Sequence, residues 1–266
     1  MMRPGYVKYV NDPERYIGSV ECMKNEVDML FVASGLLLQN IIKKQKNSRI
    51  GGLGNSDGPA LRKSMKHIKI LDVCCGPGTF SNYTSIVSKI KVTGVDTNEQ
   101  FIEYANKRFS KFGWKFLKED ATDFKLGELF DFVIANSAYH HISDTKKIKF
   151  LITVVKHLKQ SGRLILCDNF LPHYSDSKSK ILSINKYYRE LELFYSKQKS
   201  HKAVTSISDV RNEELNGNVE HKVHFGNFLT DVKKAGLEIE TDVIVWQPKS
   251  FKLDDAGSHV LVLKIK

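Results

Sequence analysis

The period of the hydrophobic positions changes along the chain. Over residues 20–46 apolar side chains recur at steps of three and four, with Val27, Leu30, Phe31, Leu37, Leu38, Ile41 and Ile42 among them. That spacing predicts a helical region with one buried face. Residues 1–20 hold two prolines and two glycines and are expected to be irregular. Residues 47–59 hold four glycines, two serines and two asparagines in thirteen positions, the composition of a flexible linker. The expected organisation is an N-terminal helical cap with linker over residues 1–60 and a larger domain over 61–266.

Beyond residue 67 the pattern alternates. Short apolar runs at 68–73, 92–95, 115–117, 130–135 and 163–167 predict five strands. Helical segments at 80–89, 98–112 and 146–158 fall between them, the second with Phe101, Ile102, Ala105 and Phe109 on one face. Strands alternating with helices predict a parallel sheet covered on both sides. The rhythm then stops. Residues 169–222 read as a helical insertion whose one clear helix, 178–199, carries Ile181, Ile184, Tyr188, Leu191 and Phe194 at helical spacing. A helix at 225–235, closed by Gly236, leads to strands at 238–246 and 259–264 with no helix between them. They predict an antiparallel hairpin at the sheet's end.

Composition narrows this picture. With 41% hydrophobic and 27% charged residues the chain has material for a sizeable core, which excludes dominant disorder. The longest apolar run, residues 29–38, is half of the ~20 residues a membrane-spanning helix needs. The first twenty residues carry Asp12 and Glu14 and lack a signal-peptide core, so a cytoplasmic location is expected. Cys22, Cys74, Cys75 and Cys167 have no CxxC spacing, so reduced thiols and no metal site are expected. The net charge of +11 is unevenly placed. Residues 67–142 are neutral overall, while residues 1–66 contribute +5 and residues 143–266 contribute +6. A Lys-rich solvated surface accounts for this excess, although such a surface can also attract anions or nucleic acid.

The candidate chemistry begins at residues 70–81, ILDVCCGPGTFS, where a strand runs through a turn with two glycines into a helix. Glycine lets the backbone turn sharply and lets a ligand approach, and helix N-terminal N–H groups suit polar or anionic ligand groups. Asp96 follows Asp72 by 24 residues at the tip of the second strand, where a carboxylate can accept from both hydroxyls of a ribose. Asp120 follows by another 24 at the end of the third, where it can meet an adenine amino group, with room left by Ala121.

Over residues 68–167 these motifs resemble those of class I S-adenosylmethionine-dependent methyltransferases, in the form common among small-molecule enzymes. Residues 71–78 match that family's first motif, 94–96 its second, 119–121 its third and 130–141, FDFVIANSAYHH, its fourth. The resemblance implies a Rossmann-like seven-stranded sheet of order 3-2-1-4-5-7-6 with the last strand antiparallel. It implies that Asp72, Cys74, Gly76 and Gly78 line the methionine part of S-adenosylmethionine. Asp96 and Thr97 would hold the ribose, Asp120 and Ala121 would frame the adenine, and Asn136 would lie near the methyl group. Where the family has a glycine this chain has Cys74, a small side chain. A nicotinamide fingerprint would require a third glycine where Ser81 stands.

The same resemblance makes the product S-adenosylhomocysteine and the partner a small acceptor, anionic and aromatic compounds being the first to consider. His140 and His141 are the candidates for a catalytic base or an orienting pair. Tyr16, Tyr139, Asp168, His173 and Tyr188 are candidate acceptor contacts, with Tyr6, Tyr9, Asn169 and Tyr187 as further lining. Two alternatives stay open: a nucleic-acid methyltransferase, against which the NSAY form of the fourth motif counts, and a non-catalytic binding protein with this fold.

Overall fold

The computed structural model describes residues 12–50, 67–217, 219–251 and 254–266. Tyr6, Tyr9 and the linker beyond residue 50 lie outside the described residues. The segment expected to be irregular already folds at residue 13. The Asp12 carboxylate accepts the Arg15 N–H at 2.9 Å and Pro13 opens the first turn, so helix α1 runs Pro13–Glu21. A second helix, α2, runs Lys24–Ile50. The break at Cys22 and Met23 carries no glycine or proline, so the apolar spacing alone did not mark it.

The sheet contains β1 Ile68–Val73, β2 Ile90–Asp96, β3 Lys115–Lys118, β4 Phe130–Asn136, β5 Leu158–Phe170, β6 Leu237–Trp246 and β7 Gly257–Ile265. Its order is β3-β2-β1-β4-β5-β7-β6. The first five strands pair in parallel, and β7 runs antiparallel to both β5 and β6. This is the expected Rossmann-like sheet.

Helix α3, Thr79–Thr84, stops well short of residue 89. Helix α4, Glu99–Phe109, starts where the Asn98 side chain accepts two backbone N–H groups and ends on Lys107 and Arg108, charges that suit a helix C-terminus. Helices α5, Lys147–His157, and α8, Phe225–Lys234, flank the insertion, which holds two helices rather than one: α6 Ser177–Lys197 and α7 His201–Asn216. Helix α7 escaped the sequence pattern because its inward apolar side chains reduce to Ala203 and Ile207.

Two apolar layers sandwich the sheet. Phe150, Leu151 and Val154 of α5 and Phe228 and Val232 of α8 pack on one face. Met29, Leu30, Ala33, Leu37 and Ile41 of α2 join Phe80 of α3 and Ile102, Ala105 and Phe109 of α4 on the other. A third cluster, with Ile184, Tyr187, Tyr188, Leu191, Tyr195, Ala203, Ile207, Trp246 and Phe251, is the insertion's own core. The register sets Val73 beside Val95, Asp72 beside Ile134 and Asn136 beside Cys167. The carboxyl ends of β1, β2, β4 and β5 therefore share one edge, with the reversal of strand order between β1 and β4, where such sheets bind ligands. Among the described residues no helix is long and apolar enough to cross a membrane.

Candidate active site

The turn after β1 is built from left-handed backbone. Cys74, Gly76 and Gly78 have φ of 55°, 53° and 78°. At Gly78 a Cβ would lie 2.5 Å from Phe109 Cε2, so only glycine lets the turn seat on α4. Cys74 occupies a conformation that costs an L residue roughly 1–2 kcal/mol. That explains why a glycine is the usual occupant in the related motif.

Acidic groups gather around this turn. Asp72 is buried and accepts the Ser81 hydroxyl at 2.8 Å. Burial pushes its pKa up to about 7, against the Ser81 hydrogen bond and with the help of the neighbouring Asp96 charge. Asp96 accepts Gly76 N–H and Asn98 N–H, each at 2.9 Å, one on each oxygen. Burial raises its pKa too, opposed by those N–H groups and that of the exposed Thr97. Asp120 accepts the Thr122 N–H and hydroxyl on one oxygen, both at 2.8 Å, and the N–H bond draws its pKa down. The buried Ala121 lies between them. All four carboxylates of Asp96, Asp72, Asp120 and Asp168 act on the Cys74 thiol, which burial and then these charges push well above its usual range. The structure thus brings Asp72, Cys74, Gly76, Gly78 and Asp96 to one turn. Tyr16 joins them from α1, with its ring 5.0 Å from that of Phe101 and within 3.7 Å of where a Gly76 Cβ would stand.

Two polar atoms at this edge have no protein partner. Asn136 Oδ1, at the end of β4, and Thr79 Oγ1, at the start of α3, are buried without a hydrogen bond. Buried polar groups are normally paired, so orphans here mark places where a ligand can complete the bonding.

The acceptor side differs from the sequence expectation. Asp168 is fully buried and accepts from His140 Nδ1 at 2.6 Å, and also from the N–H of His140 and of Asn169. Its oxygens are taken up by these protein donors. Burial alone would lower the His140 pKa, but the Asp168 and Glu220 carboxylates raise it overall. His141 keeps 34% of its side-chain surface exposed, and the partial burial of its ring together with His140 lowers its pKa. Three expected acceptor contacts point elsewhere. Tyr139 is buried against Phe150 and Phe228, and its hydroxyl donates to Asp231 of α8 at 2.7 Å. Tyr188 packs inside the insertion's own core. His173 is exposed, with its ring 4.8 Å from that of His224. Each is an apolar-looking or loop residue whose facing depended on tertiary packing.

Sequence reasoning missed Glu26 and the pair Glu220 and Lys222. Glu26 reaches from α2 over the sheet edge, accepting Ser137 Oγ at 2.7 Å and Asn169 Nδ2 at 2.8 Å. Lys222 and Glu220 form a buried ion pair, and Lys222 also reaches Glu214 at 3.4 Å. Helix charges and a polar connector ordinarily face solvent, so no sequence signal separated these from a solvated surface.

A seven-stranded sheet of this order, with an acidic, glycine-turned edge at its reversal point, defines the class I methyltransferase fold. Residues 70–162 match the family model described as a methyltransferase domain. An uncharacterized methyltransferase of Schizosaccharomyces pombe is 29% identical over 112 residues, which are 38% of this chain and 38% of that protein. The match therefore spans well under half of that relative. Among solved structures, the PH0226 protein of Pyrococcus horikoshii superposes with a TM-score of 0.51 at 21% identity over 83% of this chain and 91% of that one. PKMT2 of Rickettsia typhi in complex with AdoHcy gives 0.53 at 18% identity over 75% of this chain and 49% of that one. An S-adenosylmethionine-dependent methyltransferase of Clostridium acetobutylicum gives 0.50 at 13% identity over 77% and 87%. At these identities the likeness is one of fold.

Proposed function

We propose that this chain transfers a methyl group from S-adenosylmethionine to a small acceptor held between the loop after β4, α2 and the helical insertion. The observation that carries the proposal is the placing of Asp72 and Asp96 on adjacent strand ends beside the glycine turn, where Asp96 accepts the Gly76 N–H at 2.9 Å. An edge so rich in carboxylate favours a ligand with positive charge and hydrogen-bond donors. S-adenosylmethionine fits that description and supplies a sulfonium-bound methyl group open to in-line displacement. Asp96 would take the ribose hydroxyls on the lone pairs its N–H partners leave free. Asp120, Ala121 and Thr122 would frame the adenine. The orphaned Asn136 Oδ1 and Thr79 Oγ1 would complete their bonding at the amino-acid end.

On the acceptor side the chain's part is orientation and exclusion of water, which account for much of the acceleration in such displacements. Asp168 fixes His140, which with His141 would orient the acceptor. A small acceptor is supported by the way the insertion closes on α2 and on the end of β5. Tyr195 donates to Asn25 Oδ1 at 2.6 Å and Tyr187 to Asn169 Oδ1 at 3.1 Å.

Calorimetric titration with S-adenosylmethionine and S-adenosylhomocysteine tests the cofactor. Binding by the wild type, weakened at least tenfold in Asp96→Ala, is the expected result. A folded wild type that binds neither compound overturns the proposal. A screen of anionic and phenolic acceptors with labelled methyl donor would follow.

A further inference from the structure

The geometry points to a divalent-cation site of zinc type formed by His140, His141 and Glu220, where the loop after β4 meets the segment that closes the insertion. Two elements far apart in sequence bring three ligand-bearing side chains together, and their ligand atoms all lie within 4.8 Å of one another. His140 Nε2 stands 3.6 Å from Glu220 Oε2, and His141 Nδ1 stands 3.7 Å from Glu220 Oε1. These separations are too long for hydrogen bonds. They suit atoms sharing an ion, because two ligands at 2.0–2.1 Å from a tetrahedral centre lie about 3.4 Å apart.

The surroundings of His140 supply a second, independent observation. Asp168 lies 2.6 Å from its Nδ1, which turns Nε2 toward Glu220. A carboxylate behind a histidine is the usual outer support of a metal-bound imidazole, fixing its tautomer and ring plane. The ammonium of Lys222 lies on Glu220 Oε2 and leaves Oε1 turned to His141.

Two imidazole nitrogens and one carboxylate oxygen leave a fourth tetrahedral position for a solvent oxygen, as in open zinc sites. The 34% exposure of the His141 side chain gives the ion a route from solvent. The ion would tie the insertion to the β4 loop and hold both histidines in place.

The test is metal binding and is independent of methyl transfer. The full chain is stripped with a chelator and titrated with Zn²⁺, and its thermal midpoint is followed with and without the ion. One equivalent per chain is expected, with a thermal midpoint raised by several degrees. At least tenfold weaker binding is expected in both His141→Ala and Glu220→Gln, with no thermal gain in either. His141 is the most exposed of the three ligands, so His141→Ala keeps the test valid if Glu220→Gln fails to fold. No binding by the wild type overturns the inference, as does unchanged binding in a folded variant. Either result would leave His140 held by Asp168 alone.

Discussion

Asp72 has one hydroxyl, Ser81, to set against complete burial, and its pKa of about 7 follows from that imbalance. The sign of the consequence is definite. Between the unfolded carboxylate range and pH 7 the folded state holds a proton that the unfolded state has lost, so this residue reduces stability as pH rises through that window. Above pH 7 the penalty is fully present, at up to about 4 kcal/mol. Asp72→Asn removes it. The variant's thermal midpoint relative to the wild type is expected to rise from pH 5 to pH 8, and a pH-independent difference would reject the assignment. Asp72, Asp96 and Asp120 were legible in the sequence because each sits at a strand end after an apolar run. Cys74 was legible only through resemblance, and its φ of 55° supplies the physical reason for the glycine it replaces. Glu26 and Glu220 carried no such marker. A carboxylate on a helix or in a polar connector looks solvated until the partner that buries it is known.

Elements meet at this site through tyrosines. Tyr195 of α6 accepts the Asn25 N–H at 3.0 Å and donates to Asn25 Oδ1, so one hydroxyl satisfies two groups at the start of α2. Removing it leaves both buried and unpaired, which typically costs ~1–3 kcal/mol. Tyr195→Phe is therefore expected to lower urea stability by that amount. Hydrogen exchange should accelerate in α6, α7 and the first turns of α2, and not in β1. Equal acceleration across the sheet would argue against the insertion opening as a separate unit. The sequence indicated that the insertion is helical, but its period-based signal failed at α7, a polar helix anchored mainly by Ala203 and Ile207. Tyr187 and Tyr188, expected to line a pocket, are instead buried in the insertion's core, because helical spacing fixes a face and not what that face meets.

At the scale of the molecule, α2 is a layer of the sheet. Met29, Leu30, Ala33, Leu37 and Ile41 share one core with Ile70, Val92 and Val262. A chain begun at residue 67 would leave that face bare and is expected to lose its cooperative thermal transition by circular dichroism. A truncated chain that melts cooperatively would make the first fifty residues an accessory. The parallel sheet and its antiparallel close were legible, since alternation and the missing last crossover helix are properties of chain order. The placing of α2 was not, since a helix that precedes the first strand carries no topological rule for which face it covers.

The position of β7 sets a timetable. Residues 257–265 leave the ribosome after every other strand, yet β7 lies inside the sheet, between β5 and β6. Until it arrives, β5 presents a bare run of backbone donors and acceptors, and β6 has no neighbour to pair with. The sheet cannot mature strand by strand during synthesis. The nascent chain must hold an open edge until β7 slots in, and the risk of strand exchange between neighbouring nascent chains is greatest just before that happens.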